Sequence, residues 1–399
     1  MMLEKIIRIA KSKKEWRKPA QNKCLIFDAR TGKPLHCLID HKNIHELFLP
    51  AEKLNMFVLF KCLLQRRIST LCYCENYVRA VNPRVVITMS DNNLDFYRLK
   101  NLYPKATFLA IQSSWRGERA DLFEKKISQG LSCDYYFAFN RAIGSLMKRN
   151  VKCKVIVAGS LINNALMIST AKKQNEKKKL VFISEFRRKK KKLSYLCKKH
   201  NGALATWEEL YSLEKRLLPA LHKFCQKNQI KFLILGAKPV NYAQEHNFFK
   251  KYLPKYGWNY NPRTSWFSSY EAINSSDFVV YINSTLGYEA FSAGKPVACI
   301  SARSRWLADY DAWKFGWPNK FPRQGLCWTN DYNEKSIKRV LKNLISKPNR
   351  RIRQQLQAVR AKVMQYDAGN SKLRALLHQK GITTESVLNR LVTYQASVN

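Results

Sequence analysis

Nine short, unbroken apolar runs, separated by stretches with helical spacing, constrain this chain more than any other feature. The first series is Lys23–Phe27, Arg84–Met89, Thr107–Ile111, Tyr135–Ala138 and Val155–Ala158. The second is Leu180–Ser184, Lys231–Leu235, Phe278–Ile282 and Pro296–Ile300. Continuous apolar runs, as opposed to alternating ones, predict strands covered on both faces. Between them lie helical patterns at Asn55–Gln65, Leu71–Val81, Trp207–Gln226, Tyr270–Asn274, Gly287–Ala293 and Ser336–Ile345. Strands alternating with helices predict an α/β chain built on parallel sheets.

Two series predict two Rossmann-like domains, at 1–165 and 180–348. A polar, lysine-rich connection at 166–179 joins them, and it contains Ala171–Lys179 (AKKQNEKKK). Residues 349–399 read as C-terminal helices placed to cross back over the first domain. At 399 residues the chain is too long for one ordinary core, and 46% apolar residues exclude wholesale disorder. No apolar stretch reaches the roughly 18 residues a membrane-spanning helix needs. Charges from Glu4 to Lys14 interrupt any secretory signal, so a cytosolic chain is expected.

The formal net charge is +44. A surface this basic attracts polyanions or anionic membranes and says little about fold. Leu3, Ile6, Ile7 and Ala10 among lysines and arginines predict a basic amphipathic helix over Met1–Lys18, either lying on a membrane or packed on its own domain. A second basic run spans Arg187–Lys192. The 11 cysteines include no C-x-x-C pair, so they read as buried thiols. His36, Cys37, His41 and His45 lie close in sequence, but nothing in their spacing completes a zinc tetrahedron.

The segment Tyr270–Ile300 reads as helix, strand, tight turn, helix and strand. Its turn, Asn283-Ser284-Thr285-Leu286-Gly287, opens a helix whose first amides would point at an anion such as a phosphate. Ser284 or Thr285 would equally serve as an ordinary N-cap, and Glu289 as a helix-favouring residue or as an acceptor for ribose hydroxyls.

The stretch Ser284–Ala290, followed by Gly294-Lys295-Pro296-Val297, resembles the donor-side motif of GT-B glycosyltransferases. It is most similar to bacterial surface-carbohydrate and capsule-polysaccharide biosynthesis proteins, a group that includes Kdo-type transferases. Val85–Asn93, Phe96–Leu99, Phe108–Gln112, Gly159-Ser160 with Asn163-Asn164, Phe182–Arg187, Trp313–Pro318 and Gly325–Asn330 carry the likeness further, in the same order. Where that group has Gln-Asn-Gly before an arginine, this chain has Gln112-Ser113-Ser114-Trp115-Arg116, a departure in the acceptor-side loop. The resemblance implies two Rossmann-like domains facing a cleft, with acceptor in the first and nucleotide-sugar in the second. It also implies a reaction without a metal or other cofactor, and a lipid-linked or surface-glycan acceptor at the inner face of the cytoplasmic membrane.

Ligands in parallel α/β sheets sit beyond the carboxyl ends of the strands. Ser90–Asn93, Gln112–Arg116, Glu185–Arg187, Gly236–Lys238 and Asn283–Gly287 each follow a predicted strand. Glycosyl transfer needs a base for the acceptor hydroxyl and a positive environment for the departing phosphate. Asp91 is the first candidate base and Glu118 the second; Asn92, Asn93, Gln112 and Arg116 are acceptor-side candidates. Arg187, Lys238, Ser284, Thr285, Gly287 and Glu289 are the donor-binding candidates.

Two other functions fit parts of the sequence. A nucleotide-sugar 2-epimerase shares the fold but would need further carboxylates and a histidine at the sugar, and the histidines mostly miss the strand ends. A nucleic-acid binder would use the charge and the interleaved Arg303, Arg305, Trp306, Trp313 and Lys314, yet no nucleic-acid-binding motif is present.

Overall fold

The computed structural model describes residues 11–49, 52–116, 130–166, 177–187, 198–211, 213–239, 243–265, 267–303 and 311–384. They divide into two compact units. The first holds 11–113, 130–165 and 367–384; the second holds 114–116 and 166–366. The main division falls between Ala165 and Leu166. The C-terminal segment divides at 366/367, with the helix Arg350–Val363 in the second unit and Ser371–Gln379 in the first. Asn164 anchors the returning segment: its Oδ1 accepts from the Asp367 amide at 3.0 Å and its Nδ2 donates to Asn370 Oδ1 at 3.0 Å.

In chain order the first unit's strands are β1 (Lys13–Glu15), β2 (Cys24–Phe27), β3 (Ile44–Leu47), β4 (Lys53–Asn55), β5 (Val85–Thr88), β6 (Thr107–Ile111), β7 (Ser132–Ala138) and β8 (Lys152–Val157). Six form an all-parallel sheet in the order β3-β2-β5-β6-β7-β8, and β1 pairs with β4 apart from it. The second unit contributes β9 (Lys179–Ile183), β10 (Lys231–Pro239), β11 (Asn259–Arg263), β12 (Phe278–Tyr281), β13 (Val297–Ile300) and β14 (Trp328–Thr329). These form one parallel sheet in the order β11-β10-β9-β12-β13-β14.

Both sheets are doubly wound, and each has one place where the chain reverses its direction of winding. That place is between β2 and β5 in the first unit and between β9 and β12 in the second. In open sheets a crevice opens beyond the carboxyl ends of the strands there. The central strands are buried throughout, as their unbroken apolar runs require. Around the second sheet Phe182, Leu217, Leu221, Ile234, Val280, Ile300 and Val340 form the core. Asparagine begins many of the helices: Asn55, Asn93, Asn140, Asn333 and Asn349 each accept a first-turn amide through the side chain.

Several expectations need correction. Lys13–Glu15, predicted as part of a helix, is strand β1. Residues 16–18 are not helical either, and the remainder of the expected helix, 1–10, lies outside the described residues, as do most of the 166–179 connection and Arg188–Lys192. Gly236 and Lys238 do not follow a strand, because β10 continues to Pro239 and resumes pairing with β11 after a register shift.

Candidate active site

The second unit's switch point is built around a buried cation. Glu185, just past β9, accepts from the Asn283 amide, just past β12. Its other carboxylate oxygen pairs with Arg303, which is fully buried and lies just past β13. Arg303 also donates to the Leu210 carbonyl and stands 3.5 Å from the buried carboxylate of Glu214. Tyr211 and Trp313 flank the guanidinium, with ring centroids 5.5 and 5.6 Å away. Burial pushes the Glu214 carboxyl up to about 7, although Arg303 pulls the other way. Asn283 Nδ2 donates to Ser301 Oγ at 2.6 Å and to the Trp313 carbonyl at 3.0 Å. Its Oδ1 is buried with no hydrogen-bond partner among the described residues, which leaves an acceptor for a ligand donor.

The helix Thr285–Ser292 begins beside this network. Ser284 takes the N-cap position without a side-chain bond to the helix, so its hydroxyl leaves the amides of the first turn uncapped. Thr285 Oγ1 accepts from the Trp115 amide at 2.8 Å, and the Trp115 ring stacks on Tyr288 with centroids 4.0 Å apart. Gly287 is fixed by packing: a Cβ there would stand 2.1 Å from the Tyr281 ring. Glu289 is buried one turn further in, where its carboxylate accepts from the Tyr270 hydroxyl at 2.8 Å. Burial, together with that carboxylate, raises the Tyr270 phenol well above its ordinary range.

At the first unit's switch point, Asp28 follows β2 and Ser90 and Asp91 follow β5. Asp28 has left-handed backbone (φ 62°), an unusual conformation for a residue with a side chain. Ser90 Oγ donates to one of its carboxylate oxygens and exchanges a 2.8 Å bond with Thr31 Oγ1. The other oxygen, Oδ1, is buried with no hydrogen-bond partner among the described residues. Strain and an open acceptor coincide at this residue, a combination found where local structure is held for function. Asp91 is as deeply buried as Asp28, but its carboxylate has partners: it accepts from the Tyr136 hydroxyl at 3.0 Å and lies 3.4 Å from Ser113 Oγ.

Other sequence candidates are placed as follows. Asn93 caps the helix Leu94–Leu102, while Asn92 is exposed. Gln112 is buried and accepts from the Phe139 amide at 2.8 Å, tying the end of β6 to the chain after β7. Arg116, expected on the acceptor side, is buried in the second unit, since the Trp115 contacts carry its segment there. Arg187 is exposed, with its guanidinium 5.2 Å above the Tyr211 ring. Glu118 and the Lys238 side chain lie outside the described residues, as do Arg305 and Trp306. The interleaved basic and aromatic segment does not present a nucleic-acid face at Arg303 and Trp313, because both are buried in the ion network. Sequence reasoning gave no role to Asp28 or Glu214. A polar residue directly after the run Lys23–Phe27 was a usable signal for the first; nothing local marks the second.

The family described as "putative O-antigen biosynthesis protein" matches residues 109–381. No curated protein matches the chain. Among solved structures, a Listeria monocytogenes protein assigned as a UDP-N-acetylglucosamine 2-epimerase is 12% identical, with a TM-score of 0.54 over 90% of this chain and 97% of that one. S. aureus MnaA with UDP is 13% identical, TM-score 0.51, over 90% and 96%. The UDP-GlcNAc 2-epimerase from Neisseria meningitidis is 14% identical, TM-score 0.50, over 90% and 100%. At these identities the likeness is one of fold, and the fold is GT-B.

Proposed function

The chain belongs to this O-antigen biosynthesis family, and on that premise we propose that it is a glycosyltransferase that moves a sugar from a nucleotide donor to a surface-glycan or lipid-linked acceptor without a metal. The observation that carries the reading is the uncapped start of the helix Thr285–Ser292 beside the switch point of the second sheet. There the amides of the first turn and the positive end of the helix dipole would stabilise the departing phosphate. Thr285, oriented through Trp115, and Ser284 complete that cradle; Glu289, oriented by Tyr270, would take the ribose hydroxyls. Arg187, and Lys238 by sequence position, would add positive charge. On the acceptor side Asp28 replaces Asp91 as the preferred base, because its Oδ1 has no hydrogen-bond partner among the described residues and the Asp91 carboxylate is held by Tyr136 and Ser113. A cytoplasmic location at an anionic membrane surface belongs to the same proposal; no helix among the described residues is long and apolar enough to cross a membrane.

Nucleotide-sugar 2-epimerization is the second reading, favoured by the epimerases among the solved structures of this fold. Against it, His222 and His246 lie within the helices Leu213–Lys227 and Ala243–Tyr252 and not at strand ends: His222 contacts the Tyr256 carbonyl and His246 stacks on Tyr260. A thermal-shift series with UDP-, GDP-, dTDP- and CMP-linked sugars tests the common premise. A donor at about a hundred times its dissociation constant adds about 2.7 kcal/mol of stability. Indifference to every donor overturns both readings. With a donor identified, formation of its 2-epimer in the absence of acceptor selects the epimerase, and nucleotide release coupled to glycan extension selects the transferase.

A further inference from the structure

Among the described residues eight large apolar side chains stand exposed, and five lie in one region of the first unit. They are Trp16, Phe60, Leu63, Leu64 and Ile68, at 47–74% exposure. The fold gathers them. Strand β1 pairs with β4 so that Glu15 stands opposite Asn55, which brings Trp16 to the start of the helix Met56–Leu64. Asn55 caps that helix, whose sequence MFVLFKCLL contains one cation and no acid.

A helix apolar around its whole circumference normally belongs inside a core. Here only Val58 and Cys62, one turn apart, are buried. Asn76, from the helix Thr70–Val81, donates to Cys62 Sγ and to Gln65 Oε1, holding that side down. Phe60 and Leu64, also one turn apart, face solvent on another side. Packing therefore fixes the orientation and leaves the apolar side out.

The surrounding charge is positive. Arg17, Lys18, Lys61, Arg66 and Arg67 are exposed along the same segments. The neighbouring acids already have partners: Glu15 pairs with Lys53 at 3.3 Å, and Glu75 with Arg79 at 3.0 Å and with Arg67 at 3.8 Å. Apolar side chains ringed by cations match the interface of a bilayer containing anionic lipid, where the rings and aliphatic groups enter the acyl boundary and the cations meet phosphates. A second copy of the chain would set cation against cation. A nucleic acid would leave the apolar side chains uncovered.

We propose that the helix Met56–Leu64, with Trp16 and Ile68, is the surface through which this protein docks on an anionic lipid bilayer. This locates the membrane association put forward above. It is tested without any sugar nucleotide, so its failure leaves the transferase reading standing, and the reverse. The experiment is flotation of the full chain with phosphatidylcholine vesicles, with and without phosphatidylglycerol, at low and high salt. Wild type should float with the anionic vesicles, less so at high salt. The pair Phe60→Glu/Leu64→Glu should lower the partition about tenfold or more with an unchanged melting temperature. The set Lys61→Glu/Arg66→Glu/Arg67→Glu should remove the preference for anionic vesicles. The proposal is overturned if wild type does not bind, or if both variants float like wild type. It is also overturned if sedimentation shows a dimer that Phe60→Glu/Leu64→Glu dissociates while vesicle binding persists.

Discussion

The two sheets reverse their winding at equivalent places, yet the charged groups there differ: one site holds a buried ion network, the other a carboxylate with one oxygen unpartnered among the described residues. In the second unit Glu185, Arg303 and Glu214 form an ion network tied to the Asn283 amide and the Leu210 carbonyl. In the first unit Asp28 is held in left-handed backbone by a short turn, with one carboxylate oxygen open. Topology thus decides where a crevice forms, and local chemistry decides whether it is a rigid frame or a reactive group. A frame suits holding a donor, since preorganised dipoles need no rearrangement during reaction. A carboxylate oxygen without a hydrogen-bond partner suits taking a proton.

The strongest way to break the comparison is Arg303→Met. It leaves the buried Glu214 without its cation and Glu185 without its partner, and a broken buried pair costs about 3–5 kcal/mol. Urea unfolding should show that loss in the second unit; a loss under about 1 kcal/mol means the network does not frame the site.

Next in size is a pH effect from Glu214. Its folded pKa, about 7, lies above the unfolded value of 4.5, so the folded chain keeps the proton longer. The resulting stability is fully present below about 4.5 and is lost as pH rises toward about 7, on the order of 3 kcal/mol. Glu214→Gln should remove that component, so the difference in stability between variant and wild type should change across this window and stay level above it. A constant difference would show that Glu214 ionises normally.

Gly287→Ala follows. Its methyl would meet the Tyr281 ring, and overpacking of this kind costs about 1–3 kcal/mol. Chemical denaturation measures it, and donor affinity should fall with it as the helix start shifts. Full stability in the variant would show that the ring moves aside.

The smallest effect on stability, and the sharpest on rate, is expected from Asp28→Asn. Nothing bulky changes, so unfolding should move by less than about 1 kcal/mol, while transfer drops about a hundredfold or more if Asp28 is the base. Asp91→Asn should reverse the pattern, with a clear loss of stability through the Tyr136 contact and a smaller loss of rate. Equal rate losses in the two variants would remove the distinction.

Strands at the middle of each sheet were legible in the sequence; most of those at the margins were not. The runs containing β2, β5, β6, β9, β12 and β13 are apolar because both their faces are covered. At the edges β3 (IHEL), β11 (NYNPR) and β14 (WT) gave no such signal, since an edge strand is covered less and keeps polar residues. The site divided in the same manner. The turn Asn283–Gly287 announced itself through small residues between a strand and a helix. Glu214 and Arg303 are far apart in the chain, and no local spacing could pair them.

The sequence by itself therefore determined the two parallel α/β units and the strand-to-helix turn at Ser284, because those rest on local periodicity and on burial of unbroken apolar runs. Only the tertiary structure decided that Arg303 is a buried counter-ion and that Asp28, not Asp91, keeps an open oxygen. It alone set the outward-facing side of the helix Met56–Leu64. Pairing, strain and exposure depend on what the rest of the chain brings alongside a residue, and local pattern carries no record of that.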